Sequence, residues 1–214
     1  MQTTLSNRKI RVLIVDDHQV VRDGVSASVS SQPDMEVVGE AASAEEALGN
    51  FSKILPDITL MDLRLPDMSG IDAISRIHRT YPTARVIVLT TYQGDVQALR
   101  AFRAGAMGYL LKSSLRRELL TTIRSVHAGK KVIPPDVATA MAMYVTNDEL
   151  SNRELEILRH VAAGLPNKLI ADRLSLSPDT VKSHIANILN KLGANDRTHA
   201  VTIAVKRGYF DLEA

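Results

Sequence analysis

From residue 10 to about residue 128, short β-branched runs alternate with stretches in which apolar residues recur every three or four positions. This alternation is the pattern of a parallel sheet joined by crossover helices. It predicts strands at 10–15, 36–39, 58–61, 85–90 and 108–111, with helices at 19–30, 44–53, 70–79, 95–104 and 116–127. The runs RVLIVDD and ARVIVLTT are apolar without alternation, as central strands covered on both faces must be. Glu36-Val-Val-Gly39 is shorter and more polar and reads as an edge strand. Ser43 followed by Glu46 predicts a capping box at the start of the second helix, each side chain meeting the other's orphan N–H.

After Gly129 the strand signal stops. The segment GKKVIPPD combines a helix terminator, two charges and a proline pair, and marks a boundary. Residues 137–144 are rich in Ala and Met and suit a linker helix, while 145–149 suit an exposed connection. From Leu150 the periodicity is purely helical. Ser151 and Glu154 form a second capping box, with Leu150 and Leu155 at its staple positions, so a helix starts at Asn152 and ends at Gly164. A short helix follows at 167–174, with Leu169, Ile170 and Leu174 on one face, and Ser175-Leu-Ser177 breaks it. A third helix takes Ser177 as its cap and Pro178 in its first turn and runs to Leu192; a fourth covers 197–207. On the third, Val181, Ile185, Ile188, Leu189 and Leu192 face inward by period, and Lys182, Ser183, Ala186 and Asn190 face outward. The fold class is therefore an α/β, five-stranded, parallel, doubly wound domain over 1–128, a linker over 129–149, and an all-α four-helix helix-turn-helix domain over 150–214.

Composition narrows the chemistry. With 45% hydrophobic and 23% charged residues the 214-residue chain is ordinary globular material, neither disordered nor fibrous. No apolar run reaches the roughly 18 residues a membrane span needs, and MQTTLSNRKI holds no apolar signal core, so a cytoplasmic protein with no membrane partner is expected. Cysteine is absent, which removes disulfides, thiolate zinc sites and thiol nucleophiles together. The absence of Trp argues against a stacking platform for single-stranded nucleic acid. Net charge is only +2, but 159–207 holds 8 basic residues against 3 acidic ones, a local positive field.

Asp16 and Asp17 stand where the first strand ends, and Asp62 where the third ends. In open parallel sheets ligands bind outside the carboxyl ends of the strands, so these carboxylates converge from separate segments. Crowded carboxylates need a cation, and with few oxygen ligands Mg²⁺ keeping several waters is the natural occupant. Two more strand ends add a hydroxyl, Thr90, and an ammonium, Lys112. A carboxylate can attack phosphorus when cations neutralise the phosphoryl oxygens, which makes Asp62 the candidate nucleophile. His18 reads as an exposed neighbour of the acids rather than a ligand. The chain has no G-x-x-x-x-G-K-[ST] loop and no three-glycine dinucleotide fingerprint.

Asp16-Asp17, the run MDLRLPDMSG at 61–70, Thr90 and YLLK at 109–112 resemble a response-regulator receiver domain, with 28 positions from Asp62 to Thr90 and 22 from Thr90 to Lys112. The resemblance implies Asp62 as phosphoacceptor, Asp17 as a direct Mg²⁺ ligand, Asp16 holding metal-bound water and the Arg64 backbone carbonyl completing the shell. It also implies that Lys112 bridges to the phosphoryl group and that Thr90 and Tyr109 form the switch pair. The stretch GLPNKLIA at 164–171, then Leu174, Leu176-Ser177, TVKSH at 180–184 and Lys191-Leu192 resemble a LuxR-type DNA-binding domain. By that resemblance Lys182, Ser183 and Ala186 read the groove, and Asn167, Lys168, Thr180 and Lys191 lie near phosphates. Lys182 can donate to guanine O6 or N7, and Ala186 can only touch a group such as the thymine methyl; relatives often carry a polar or basic side chain there.

Together the two resemblances cover nearly the whole chain and point to the NarL/FixJ subfamily. They imply a phosphorylation-controlled, sequence-specific transcription regulator of a two-component system, with a sensor histidine kinase as donor to Asp62. They further imply double-stranded DNA with inverted or direct repeat half-sites as target, a homodimer when phosphorylated, and no enzymatic turnover beyond self-phosphotransfer and autodephosphorylation. Two rivals are a regulator that ignores phosphorylation, which the intact acid set opposes, and a Mg²⁺-dependent phosphatase. The second needs an acid two residues after the nucleophile, where Arg64 stands.

Overall fold

The computed structural model describes residues 8–91, 95–135, 137–139 and 150–210. These form two compact units; the first ends at Pro135, and the second carries the helices from Asn152 onward. The linker helix expected at 137–144 is helical over 137–139, and 140–149 lie outside the described residues. Among the described residues no helix is long and apolar enough to cross a membrane.

The first unit is a five-stranded parallel sheet in the order β2-β1-β3-β4-β5. Its strands are β1 (Ile10–Val15), β2 (Met35–Ala41), β3 (Ile58–Asp62), β4 (Val86–Thr90) and β5 (Gly108–Leu111). Helices α1 (Gln19–Ser30), α2 (Ala44–Ile54), α3 (Gly70–Thr80), α4 (Asp95–Arg103) and α5 (Leu115–His127) connect and follow them, with a 3₁₀ turn at Lys112–Ser114. Every residue of β3, β4 and β5 is buried, which is why their sequences lack alternation. Val12, Ile14, Ile58, Leu60, Ile87, Leu89 and Leu110 meet Val25, Val29, Ile123 and Val126 in one core.

β2 is the edge strand, as its polarity predicts, but it is longer than 36–39. Met35 pairs with Ile10 and Ala41 with Val15, and both are buried. Val12 pairs with Val37 while Leu13 pairs with Gly39, so Val38 is an extra residue, and this bulge interrupts the pattern from which strand length is read. The box at Ser43 also differs from expectation. Ser43 Oγ accepts from the Glu46 N–H at 3.2 Å, but Glu46 Oε2 accepts from the Ala42 N–H at 2.8 Å instead of that of Ser43.

The second unit comprises α6 (Asn152–Ala162), α7 (Asn167–Leu174), α8 (Pro178–Leu192) and α9 (Arg197–Lys206). Leu155, Ile157, Leu158, Val161, Ile170, Val181, Ile188, Leu192 and Ala204 are among its buried apolar residues. Leu169 departs from the predicted face and is 47% exposed; the inward positions of α7 are Ile170 and Ala171, one helical step round. Ser175 turns the chain between α7 and α8 in the left-handed region, with φ of 53°.

Glu154 joins these helices. Its carboxylate accepts the Ser151 N–H at 2.7 Å, closing the capping box, and the Lys191 ammonium of α8 at 2.9 Å. Burial alone would raise the Glu154 carboxyl, but the Ser151 N–H and the Lys191 ammonium outweigh it and hold it below the ordinary range. A lowered folded pKa stabilises fully above the ordinary glutamate value of about 4.3 and loses that contribution as pH falls through the folded value. Glu154→Gln is expected to cost about 1–3 kcal/mol at neutral pH, since it replaces a buried, charge-assisted contact between α6 and α8 by a neutral one, and the gap from wild type should close towards pH 3. Amide hydrogen exchange of α6 and α8 in the whole protein, across pH, measures both.

Candidate functional site

Parallel strands place all carboxyl ends on one rim, and the strand order brings the ends of β1 and β3 side by side. Asp16 follows β1 and is fully buried, Asp62 ends β3 at 3% exposure, and Asp17 is exposed. Lys112 follows β5 and reaches under this rim, its Nζ 2.7 Å from Asp62 Oδ2 and 2.7 Å from Asp16 Oδ2. The Asp62 contact is a hydrogen bond, and the Asp16 contact is an ion pair of the same length. Ligand atoms of Asp16, Asp17, His18 and Asp62 all lie within 4.8 Å of one another.

Burial pushes the Asp62 carboxyl above its ordinary range, with the Lys112 hydrogen bond pulling the other way. Burial would lower the Lys112 ammonium, but Asp16 and Asp62 more than reverse this and raise it. Three clustered carboxylates, two of them on one ammonium, leave an excess of negative charge in an oxygen-rich rim that is open at Asp17, a donor set that fits a hydrated divalent cation. His18 is exposed, as expected, yet its Nδ1 stands 2.6 Å from Asp17 Oδ1 and its backbone N–H donates to Asp16 Oδ1 at 3.0 Å.

Three features hold the acids in place. The Arg22 guanidinium, 9% exposed, donates from Nη1 to the Asp16 carbonyl at 2.6 Å, donates from Nη2 to Gln19 Oε1, and faces Glu40 of β2 at 3.6 Å. Gly70 donates its N–H to the Leu63 carbonyl at 2.9 Å and lies so close to β3 that a Cβ there would overlap the Asp62 carbonyl oxygen. Between them Arg64 and Ser69 form an antiparallel bridge, and the Arg64 N–H donates to Asp62 Oδ1 at 3.3 Å. Asp67, in the same loop, accepts the Ala44 and Glu45 N–H groups at 2.9 and 2.7 Å, and these bonds lower its carboxyl.

Arg22 and Asp67 are absent from the residues that sequence reasoning singles out. Arg22 carries a signal, because it shares the buried phase of α1 with Val25 and Val29. Asp67 carries none, since its partners lie 22 and 23 positions away.

Thr90 ends β4, buried, one residue beyond the Leu89 that pairs with Asp62. Tyr109 is fully enclosed in β5, and its hydroxyl shares a hydrogen bond with Thr90. Burial pushes the Tyr109 phenol far above its ordinary value. Its ring lies 6.4 Å from that of Phe102.

In the second unit Lys182, Ser183 and Ala186 are exposed along α8, and Lys168 is exposed on α7. Asn167 and Thr180 are half-buried near the helix starts, with Thr180 Oγ1 2.8 Å from Ser177 Oγ. Lys191, expected near phosphates, has its ammonium on Glu154 inside the unit. Asn187 is exposed on α8 as well, beside the outward positions that the period predicts.

Residues 12–124 match the response regulator receiver domain family, and residues 148–204 match the luxR family of bacterial regulatory proteins. The chain is 39% identical over 200 residues to the response regulator protein VraR of Staphylococcus aureus, covering 91% of this chain and 96% of VraR. A LuxR-family two-component response regulator from Aurantimonas sp. SI85-9A1 is 41% identical, covers 63% of this chain and 96% of its own, and gives a TM-score of 0.60. RcsB of Salmonella enterica serovar Typhimurium, solved on promoter P1flhDC with the phosphomimetic BeF₃⁻, is 26% identical over 93% of this chain and 99% of its own, with a TM-score of 0.72. RcsB has also been solved as two dimers bound to two parallel DNAs.

The positions that hold the acids generate a prediction. Gly70→Ala forces a methyl group into the Asp62 carbonyl and is expected to cost about 3 kcal/mol. Arg22→Met leaves the Asp16 carbonyl without its donor and Glu40 without its counter-ion, at about 2 kcal/mol. Urea unfolding midpoints of the two variants against wild type check these values.

Proposed function

The chain belongs to the DNA-binding response regulators of two-component signalling, a receiver domain joined to a luxR-family domain that regulates transcription, and from that premise we propose that Asp62 is the phosphoacceptor. The observation that carries this is the meeting of Asp62 Oδ2 with Lys112 Nζ at 2.7 Å inside the acid cluster. The donor is the phosphohistidine of a sensor kinase. Asp62 attacks phosphorus as the carboxylate, the P–N bond breaks with its electron pair going to the imidazole nitrogen, and an acyl phosphate forms. Lys112 opposes burial and favours the ionised, nucleophilic Asp62, and its ammonium is in place to meet a phosphoryl oxygen.

Asp16, Asp17, Asp62 and the Arg64 backbone carbonyl would hold Mg²⁺, which when bound neutralises charge on the transferring group. The Thr90 hydroxyl gains the phosphoryl oxygens as a second claimant besides Tyr109, so the enclosed Tyr109 ring repacks with it as a two-state element. The chemistry ends at self-phosphotransfer and autodephosphorylation, and the protein works in the cytoplasm.

The output is binding of α8 in the major groove of double-stranded DNA. Lys182 meets guanine, Ser183 and Ala186 lie along the base edges, and Asn167, Lys168 and Thr180 contact phosphates. Lys191 serves differently: with its ammonium on Glu154, it holds α8 against α6. Phosphorylation favours a homodimer that presents two helices to two half-sites, in inverted or direct repeat, and the RcsB dimers on DNA support this part of the reading.

Incubation with Mg²⁺ and acetyl phosphate is expected to add one labile phosphoryl group, seen by intact mass, and to raise the dimer fraction in sizing. Asp62→Asn should take up none. Thr90→Ala should keep the adduct and lose the dimer shift. Wild-type protein that forms no adduct, while still binding DNA, would overturn phosphorylation control.

A further inference from the structure

Beyond its first turn α8 exposes Lys182, Ser183, Ala186, Asn187 and Asn190, and these side chains differ in what they have left to offer. The Ser183 hydroxyl already donates to the Asp179 carbonyl at 3.0 Å. Ala186 has no polar group. Asn190 stands in the last turn, whereas base edges are met by the earlier part of a recognition helix. Asn187 lies one turn after Ser183 and beside Ala186, and its carboxamide has no partner among the described residues. Asparagine is a poor helix former, because its side chain competes for the backbone, so an exposed mid-helix position gives it no intramolecular return. Its amide offers a donor and an acceptor side by side, the pair that matches adenine N7 and N6–H₂ in the major groove.

We propose that Asn187 is a specificity-determining residue of α8 that reads an adenine, alongside Lys182. The inference rests on the reading that α8 enters the major groove. On this assignment α8 reads one purine through a point charge and a second through a bidentate amide. Asn187 is exposed, so substitution there disturbs no packing.

The test uses the full chain, treated with acetyl phosphate, and a random double-stranded DNA library. Sites are selected with wild type, Asn187→Ala, Asn187→Asp and Lys182→Ala, and binding is then measured by fluorescence anisotropy across salt. Asn187→Ala is expected to lose about 10- to 100-fold on the wild-type site, to flatten the preference at one A·T pair, and to keep the wild-type salt dependence. Asn187→Asp should move that position towards cytosine, whose N4 amino group donates to a carboxylate. An unchanged base preference in both Asn187 variants, with Lys182→Ala still weakening binding, overturns this inference and leaves the groove reading intact. A loss shared equally by all sequences with a shallower salt slope overturns it too, assigning Asn187 to phosphate. If neither Lys182 nor Asn187 alters binding, or the wild type enriches no site, the placement of α8 falls with it.

Discussion

Asp16 and Asp62 are buried carboxylates from neighbouring strands, and their coexistence depends on one ammonium between them. At an effective protein dielectric, like charges about 4 Å apart repel by about 4 kcal/mol, and an unpaired buried charge costs several more. Lys112 cancels much of this, and it comes from the far edge of the sheet. It follows β5, and β4 separates that strand from β3. Crossing that gap takes the long, flexible stem of a lysine, lying under the rim with only its head among the acids. The surrounding features serve the same meeting: Arg22 fixes the backbone at Asp16, Gly70 lets the loop after Asp62 close tightly, and Asp67 ties that loop to the start of α2.

The second unit has a comparable node in Glu154. One carboxylate caps the start of α6 and clamps α8, so the angle between these helices is set by a charged pair as well as by packing. Arg153 and Arg197 add to the frame by donating to the Leu174 and Leu165 carbonyls at 2.7 and 2.9 Å. The basic excess of this region is thus partly spent on internal carbonyls and Glu154. What stays exposed on α8 beyond its first turn is Lys182 among small and polar side chains, a surface that offers hydrogen bonds beside a single charge.

Much of this was legible in the chain. Strand and helix positions follow from hydrophobic period, and Asp62, Thr90 and Lys112 could be brought together because parallel strands align their ends. What escaped depends on distant or irregular pairing. The length of β2 was hidden by the bulge at Val38, and the Ser43 box opened because the carboxylate of Glu46 reaches one residue further back, to Ala42. Period alone puts Leu169 on the inner face and leaves Asn187 out of the outer one, because period places a side chain on a helix while neighbours decide whether it is covered. Arg22 was readable in phase but not in meaning, since a charge on an apolar stripe reveals its purpose only with its partners.

The route Lys112 takes has a consequence for how the protein is made. A ribosome releases Asp16 and Asp62 long before residue 112, so a nascent chain that holds four strands still lacks the cation their rim requires. Domains generally fold as units during synthesis, and this one gains its counter-charge only with its last strand. Charge balance at the rim therefore arrives together with completion of the sheet. Until β5 and Lys112 join it, the rim holds the repulsion of Asp16 and Asp62 with no ammonium between them.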